Sequence, residues 1–503
     1  RELASNGVWH ARARMSGGGM IGKRSLAFVG MVAGGLAGVL GAYISLAAND
    51  MLSSSQLWAA ATAGAITGLL LGILMTCILT SCNPVKMLKG LQAAGAKLSY
   101  WAISLHIRML WGPLSGWGCG YEPEQGKIVM GVHTNGMGHV IQAVRLIGAL
   151  AKAGIEVDTV AFGDMTKVPQ NFLDDFKRLM PGVHLYDFAH EIHYDDNLGG
   201  SVSMLQVVLS TVWMIMGPPG YRMVKKYVKE LKQRRFHVCL SLWDPHIPVL
   251  HDSLWGAQKL KVVNVATQGL LYLEWPYHFQ LDFLWYANMG SIQLDAELIS
   301  LLFFPQHDAL PVIVAVPEEK SKEDFLLAYS CMPAALTGIA QIKDKKVVLF
   351  TKAVERWTEH YKECPNIEIK KVGPEFAGYL SRCSGLIASP SPGVVTQALA
   401  VGTPCYLICP SGHLEQQFNE DYYFKYFDGV TNAARIPLTT WASGVSKNDK
   451  SLMPQAKQVR EWLLQFDAQV DKLVIPAMRR AMASGDGGGK KHAVGSGAYK
   501  SLV

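Results

Sequence analysis

The run from Gly385 to Asn419, GLIASPSPGVVTQALAVGTPCYLICPSGHLEQQFN, restricts the folds open to this chain more than any other stretch. Gly385 to Ala388 is a short apolar run closed by a Ser/Pro/Gly turn, and Gly393 to Val401 then reads as a short helix. A second apolar run, Pro404 to Cys409, leads through a polar loop to a helix starting near Glu415. Short apolar runs separated by a helix are strands of a parallel sheet buried on both faces. The turn between such a strand and its helix presents unpaired N–H groups and the positive end of the helix dipole. In an open parallel sheet these lie at the carboxyl edge, where ligands bind. Glu415, Gln416 and Asn419 come to that same edge at the tip of the next strand.

The same grammar recurs earlier. Lys127 to Gly131 is an apolar strand running into VHTNGMGHVIQAVRLIGALAKAG, a Gly-containing turn that opens a helix, and Asp158 to Phe162 is the next strand. Phe236 to Trp243, ending in Trp243-Asp244-Pro245, and Lys261 to Ala266, followed by Thr267-Gln268-Gly269, are further strands. Their ends bring Asp244 and Gln268 to the edge that also carries Asn135, Gly136, Gly138 and His139. Leu310 to Val316 is the expected crossover into a second set, Phe325 to Ser330, Lys346 to Phe350 and Ile367 to Lys371. Val459 to Met482 reads as one long amphipathic helix.

Order and spacing of these elements resemble the GT-B glycosyltransferases, in particular inverting enzymes of the peptidoglycan, galactolipid and UDP-glycosyltransferase type. The resemblance covers roughly the last 380 residues and rests on the Gly136-Met137-Gly138-His139 turn and the ordered series from 385 to 419. It implies two Rossmann-like domains, the second holding a nucleotide sugar, and a last helix returning to brace the first. It further implies a UDP-linked donor as substrate, with no cofactor and no metal, and a metal-independent hexosyl transfer. The donor-side residues it implies are Ser389, Ser391, Gly393, Val394, Thr396, Gln397, Glu415, Gln416 and Asn419. Catalytic roles fall to His139 and Asp244, with Asn135, Gly136, Gly138 and Gln268 on the acceptor side. From the residues alone, His139 is either a base for the acceptor hydroxyl or a helix-end residue bonded to backbone. Asp244 is either catalytic or the cap of the next helix.

Three departures from that pattern stand out. Ser389-Pro390-Ser391 stands where plant-type relatives have His-Gly-Gly, Pro390 and Pro392 each lack an N–H, and Gln397 stands where many relatives bond ribose with a Glu. Two readings follow: a glycosyltransferase, or an inactive GT-B-shaped scaffold serving as accessory subunit of an organellar membrane complex. A reductase using Gly136-Met137-Gly138 for a dinucleotide is weaker, because the third Gly of that fingerprint is missing.

Composition bears on where the reaction runs. Half of the 503 residues are apolar. Ser25 to Ala48 and Leu57 to Leu79 hold no charged residue, and at about 1.5 Å per residue either crosses an apolar layer of about 30 Å. The link between them, Asn49 to Gln56, is too short for anything but a hairpin, and glycines at four-residue spacing (Gly30, Gly34, Gly38; Gly64, Gly68, Gly72) give each a flat packing stripe. Lys23, Arg24, Lys86, Lys89 and Lys97 flank the outer ends, which puts both termini on the cytosolic, stromal or matrix side. The opening Arg1, Arg12 and Arg14 suit either an organelle-targeting remnant or a basic flank, and point to a mitochondrial inner or plastid membrane, with endoplasmic reticulum the alternative.

A helix over Pro84 to Leu110 either lies at the membrane interface or forms a neck, and the apolar Ser201 to Met216 either dips into the bilayer or is buried. A basic helix follows, facing anionic lipid or solvent. A net charge of +7, scattered along the chain, excludes nucleic acid as the partner, and nine cysteines without a C-x-x-C argue for reduced thiols. Expected partners are a nucleotide sugar, membrane lipid and, in the scaffold reading, other membrane-complex subunits. The resulting fold is α/β: a basic segment (1–24), a transmembrane hairpin (25–83), an interfacial or neck helix (84–120), an acceptor domain (121–309), a donor domain (310–455), a bracing helix (456–483) and a tail (484–503).

Overall fold

Apolar runs of three to six residues, cut off by Gly, Pro and polar turns, assemble into two parallel sheets. The computed structural model describes residues 104–117, 121–134, 137–189, 217–244, 246–255, 260–266, 297–305, 308–330, 333–410 and 413–484. These fall within the unit Leu88–Val503. The expected transmembrane hairpin, the run Ser201 to Met216, and the tail lie outside the described residues, among which no helix is long and apolar enough to cross a membrane.

The first sheet holds β1 (Ile128–Val132), β2 (Thr159–Phe162), β3 (His184–Asp187), β4 (Val238–Leu242), β5 (Lys261–Ala266), β6 (Glu297–Leu302) and β7 (Ala309–Pro311). The second holds β8 (Phe325–Tyr329), β9 (Lys346–Thr351), β10 (Ile367–Lys371), β11 (Gly385–Ala388), β12 (Cys405–Leu407) and β13 (Val430–Asn432). Their orders are β3-β2-β1-β4-β5-β6-β7 and β10-β9-β8-β11-β12-β13. Counted from its own first strand, each sheet reads 3-2-1-4-5-6, the doubly wound order, with a seventh strand added at the edge of the first, so each has a switch point of the kind where ligands bind. The switch points lie between β1 and β4, and between β8 and β11.

The helices that matter for the site are α1 (Met137–Lys152), α2 (Gln170–Leu179), α3 (Pro218–Leu231), α4 (His246–Trp255), α5 (Val354–His360), α6 (Phe376–Arg382), α7 (Pro392–Leu399), α8 (Leu414–Tyr426), α9 (Leu438–Gly444), α10 (Met453–Leu464) and α11 (Ile475–Ala483). α7 ends two residues before the expected Val401 because Gly402 takes a left-handed turn, φ 67°. Gly217-Pro218-Pro219-Gly220 opens α3, the basic helix expected here; proline is tolerated in a first turn, whose N–H groups have no intrahelical partner.

Each sheet carries its own core. Ile128, Met130, Val132, Leu240 and Val263 of the first meet Leu146, Ile147 and Leu150 of α1. Leu327, Val348, Leu386, Val395 and Tyr423 belong to the second. The C-terminal segment joins both: Val459, Trp462 and Leu463 of α10 lie in the second core, and Phe466, Val470, Val474 and Met478 lie in the first. Trp462 Nε1 donates to Leu302 O of β6 at 3.0 Å, fastening the passage from one core to the other. At the start of the described region, Trp111 is buried against Tyr221 of α3, with ring centroids 5.5 Å apart, so this end of the neck helix packs on the first sheet's helices.

Candidate functional site

The second switch point is built from the turn after β11. Ser389 and Pro390 are buried, and the Ser391 N–H donates to Ser389 O at 2.6 Å, tightening the turn. Ser391 is extended (φ −81°, ψ 132°) and leads into α7, with Pro392 in its first turn and no side-chain cap. The Val395 N–H reaches back to Ser391 O at 3.3 Å. That leaves the Gly393 and Val394 N–H groups as the first-turn donors outside the helical ladder, with the positive end of the helix dipole behind them.

α8 runs alongside this turn. Its cap is His413, whose Nδ1 accepts from the Gln416 N–H at 3.4 Å. Desolvation lowers the His413 pKa to about 4, so the ring is neutral and able to accept at neutral pH. Glu415 is half-buried, and Gln416 and Asn419 are buried at the next positions. One turn further on, the Tyr423 hydroxyl donates towards Pro392 O at 3.3 Å and Ser391 O at 3.4 Å, and lies 3.1 Å from Thr396 Oγ1. Burial raises the Tyr423 phenol far above its usual range and keeps its proton in place.

Two side chains stand out. Ser389 Oγ, in a residue 1 % exposed, and Asn419 Nδ2, in a residue 4 % exposed, find no hydrogen-bond partner among the described residues. Buried polar atoms are almost always paired, because leaving one unpaired costs about 1–3 kcal/mol.

The first switch point carries imidazoles. β1 ends at Val132, followed by the buried His133 and Thr134, and the Thr134 hydroxyl accepts from the Asp164 N–H at 2.9 Å. His139 is half-buried in the first turn of α1, and its ring meets that of His133 edge to face, centroids 5.5 Å apart and planes at 72°. Gly138 beside it is exposed, with nothing within 4 Å of where a Cβ would stand. After β4 the backbone takes a left-handed turn at Trp243, φ 61°, a strained conformation for a bulky residue.

Several expectations are corrected here. Asp244, expected to be catalytic, is 0 % exposed: its carboxylate accepts from the His246 and Ile247 N–H groups and lies 2.6 Å from His246 Nδ1, so it caps α4. Thr396, expected among the donor-binding hydroxyls, is 0 % exposed and bonded to Tyr423. Gln397, expected at the ribose, donates from Nε2 to Ala315 O at 2.8 Å. Ser389, Ser391, Gly393 and Val394 lie in the turn after β11 and the start of α7, Glu415, Gln416 and Asn419 lie in the first turns of α8, which Tyr423 ties to that turn, and His139 with Gly138 stands at the other sheet's switch point. Asn135, Gly136 and Gln268 lie outside the described residues. Sequence reasoning passed over His133, although it directly follows a strand, and His413, although it sits immediately before α8.

No family sequence model and no curated sequence matches the chain. Its path is similar to solved glycosyltransferase structures. One is the calicheamicin glycosyltransferase CalG4 (14% identity, 70% of this chain and 98% of that one, TM-score 0.46). Another is Arabidopsis thaliana UGT89C1 complexed with UDP-L-rhamnose (13%, 71% and 100%, TM-score 0.48). A third is SnogD from Streptomyces nogalater (16%, 70% and 100%, TM-score 0.41). With two parallel sheets in the same doubly wound order, the chain fits the two-Rossmann-domain organisation named GT-B.

Proposed function

We propose that the chain is a membrane-anchored, metal-independent glycosyltransferase that moves a hexosyl group from a UDP-linked donor to a lipid or lipid-linked acceptor. The observation that carries this reading is the turn after β11, where the Gly393 and Val394 N–H groups open α7 beside the buried Ser389 Oγ, which has no hydrogen-bond partner among the described residues. In this reading the diphosphate lies over the first turn of α7, where Gly393, Val394, Ser389 and Ser391 donate to it. Glu415 and Gln416 take sugar hydroxyls, and Asn419 steadies them. His139 accepts the proton of the acceptor hydroxyl as that oxygen attacks the anomeric carbon, and the nucleoside diphosphate departs with its charge held by the α7 dipole. The membrane and lipid parts of the proposal rest on the two charge-free runs.

UDP titrated into the full chain in lipid nanodiscs tests the reading by calorimetry and amide exchange. Protection of 389–419 is the expected result, with Gln416→Ala abolishing transfer. Neither heat nor protection from UDP or a panel of other nucleoside diphosphates overturns it, and the accessory-subunit reading then takes its place.

A further inference from the structure

The crossover between the two sheets, Val312 to Pro317, is held by three side chains from three helices. Arg145 of α1 donates from Nη1 to Val314 O at 2.9 Å. Gln397 of α7 donates from Nε2 to Ala315 O at 2.8 Å. Arg460 of α10 donates from Nη1 to Pro317 O at 2.6 Å. Arg145 is itself steadied by Phe466, its guanidinium carbon 4.3 Å from the ring centroid. The first turn of α7 lies directly on the crossover: a Cβ at Gly393 would stand 3.5 Å from Val314 Cγ1.

These contacts sit close to both switch points. Arg145 is six residues along α1 from His139, about 9 Å of helix, and Gln397 is four residues from Gly393, about 6 Å. One short stretch of backbone therefore touches both helices whose first turns carry His139 and the Gly393 and Val394 N–H groups. We propose that Gln397 is a positioning residue: with Arg145 it clasps α7 and α1 to the crossover and sets the distance from His139 to the donor. The proposal rests on the transfer reading above.

The chemistry of the side chain separates this from a ribose contact. A peptide carbonyl only accepts, and the Gln397 amide nitrogen supplies the proton. A carboxylate there has no proton to give and sets its charge against Ala315 O. At a ribose, by contrast, a carboxylate accepts from both hydroxyls more strongly than a neutral amide. The same substitution, Gln397→Glu, thus moves the two readings in opposite directions.

The test uses the full chain in lipid nanodiscs, UDP as probe, and three variants: Gln397→Glu, Gln397→Ala and Gln397→Lys. Glu and Ala are expected to speed amide exchange over 312–317 and the first turn of α7 several-fold, with UDP affinity within about twofold of wild type. They are expected to lower kcat about tenfold, because a sub-ångström misplacement of reacting groups is costly. Lys, which keeps a donor, is expected to restore the slow exchange. If Gln397→Glu tightens UDP binding, or any of the three variants weakens it more than about tenfold with exchange of the crossover unchanged, Gln397 is a ribose contact and the clasp is wrong. A wild-type chain that ignores UDP overturns the transfer reading alone, since exchange of the crossover still decides the clasp without ligand.

Discussion

The Tyr423 hydroxyl lies 3.3 Å from Pro392 O, which fixes the helix bearing Glu415, Gln416 and Asn419 to the turn that opens α7. The same hydroxyl also reaches Ser391 O and Thr396 Oγ1, so one side chain of α8 meets three groups of α7 and its opening turn. Tyr423→Phe removes the hydroxyl and leaves Thr396 Oγ1 buried. A loss of about 1–3 kcal/mol in unfolding free energy is expected, with weaker UDP protection of 389–419. Thermal melts with and without UDP measure both.

Gly131→Ala is expected to be severely destabilising. Its Cβ would stand 2.4 Å from Asp244 Oδ2, and that carboxylate is held in place by three groups of α4, so the clash cannot relax cheaply. Gly138→Ala has the opposite sign: nothing lies within 4 Å, and a helical Ala is favoured over Gly by up to about 1 kcal/mol. If the acceptor approaches that backbone, Gly138→Ala gains stability while losing transfer. Denaturation midpoints beside turnover numbers separate the two effects.

The His413 ring, with a folded pKa of about 4 against an ordinary 6.5, binds a proton more readily in the unfolded chain. Its contribution is therefore complete above pH 6.5 and is lost as pH falls towards 4, amounting to about 3 kcal/mol at most. His413→Asn keeps a capping acceptor that does not titrate. The variant should show a flatter stability profile between those pH values, read from denaturation at each pH.

His139→Ala should lower kcat about 10²–10⁴-fold while leaving UDP affinity within about twofold, the pattern of a lost general base. An unchanged kcat would remove His139 from the chemistry. His133, whose ring packs against it, is expected to matter less: His133→Phe keeps the edge-to-face contact and should retain most of the turnover.

The strands at the centre of each sheet were legible because burial on both faces demands unbroken apolar runs: IVMGV, VCLSL, FLLAY and GLIA announce themselves. Edge strands need no such runs. His184–Asp187, HLYD, and Val430–Asn432, VTN, carry polar residues because one side is only partly covered, and they went unread. Glu297–Leu302, ELISLL, is apolar but opens on a charged residue, and the Gly290-Ser291 turn signal lies six residues before it.

At the candidate site, the turn after β11 and the cluster from Glu415 to Asn419 were visible because local spacing determines them. The partners of Thr396 and Gln397 were not, since Tyr423 and Ala315 are brought in from 27 and 82 residues away. Asp244 shows the limit from the other side. A carboxylate at a strand end suits catalysis and helix capping equally, and only its burial and its bonds to the His246 and Ile247 N–H groups decide between them.

Because Phe466, Val470, Val474 and Met478 complete the core around β1 and β4, the β1–β7 sheet waits for residues made after the whole β8–β13 sheet. During synthesis at about 5–20 residues per second, the β8–β13 half would be able to close while the β1–β7 half still exposed an open groove. A chaperone would have that interval in which to act.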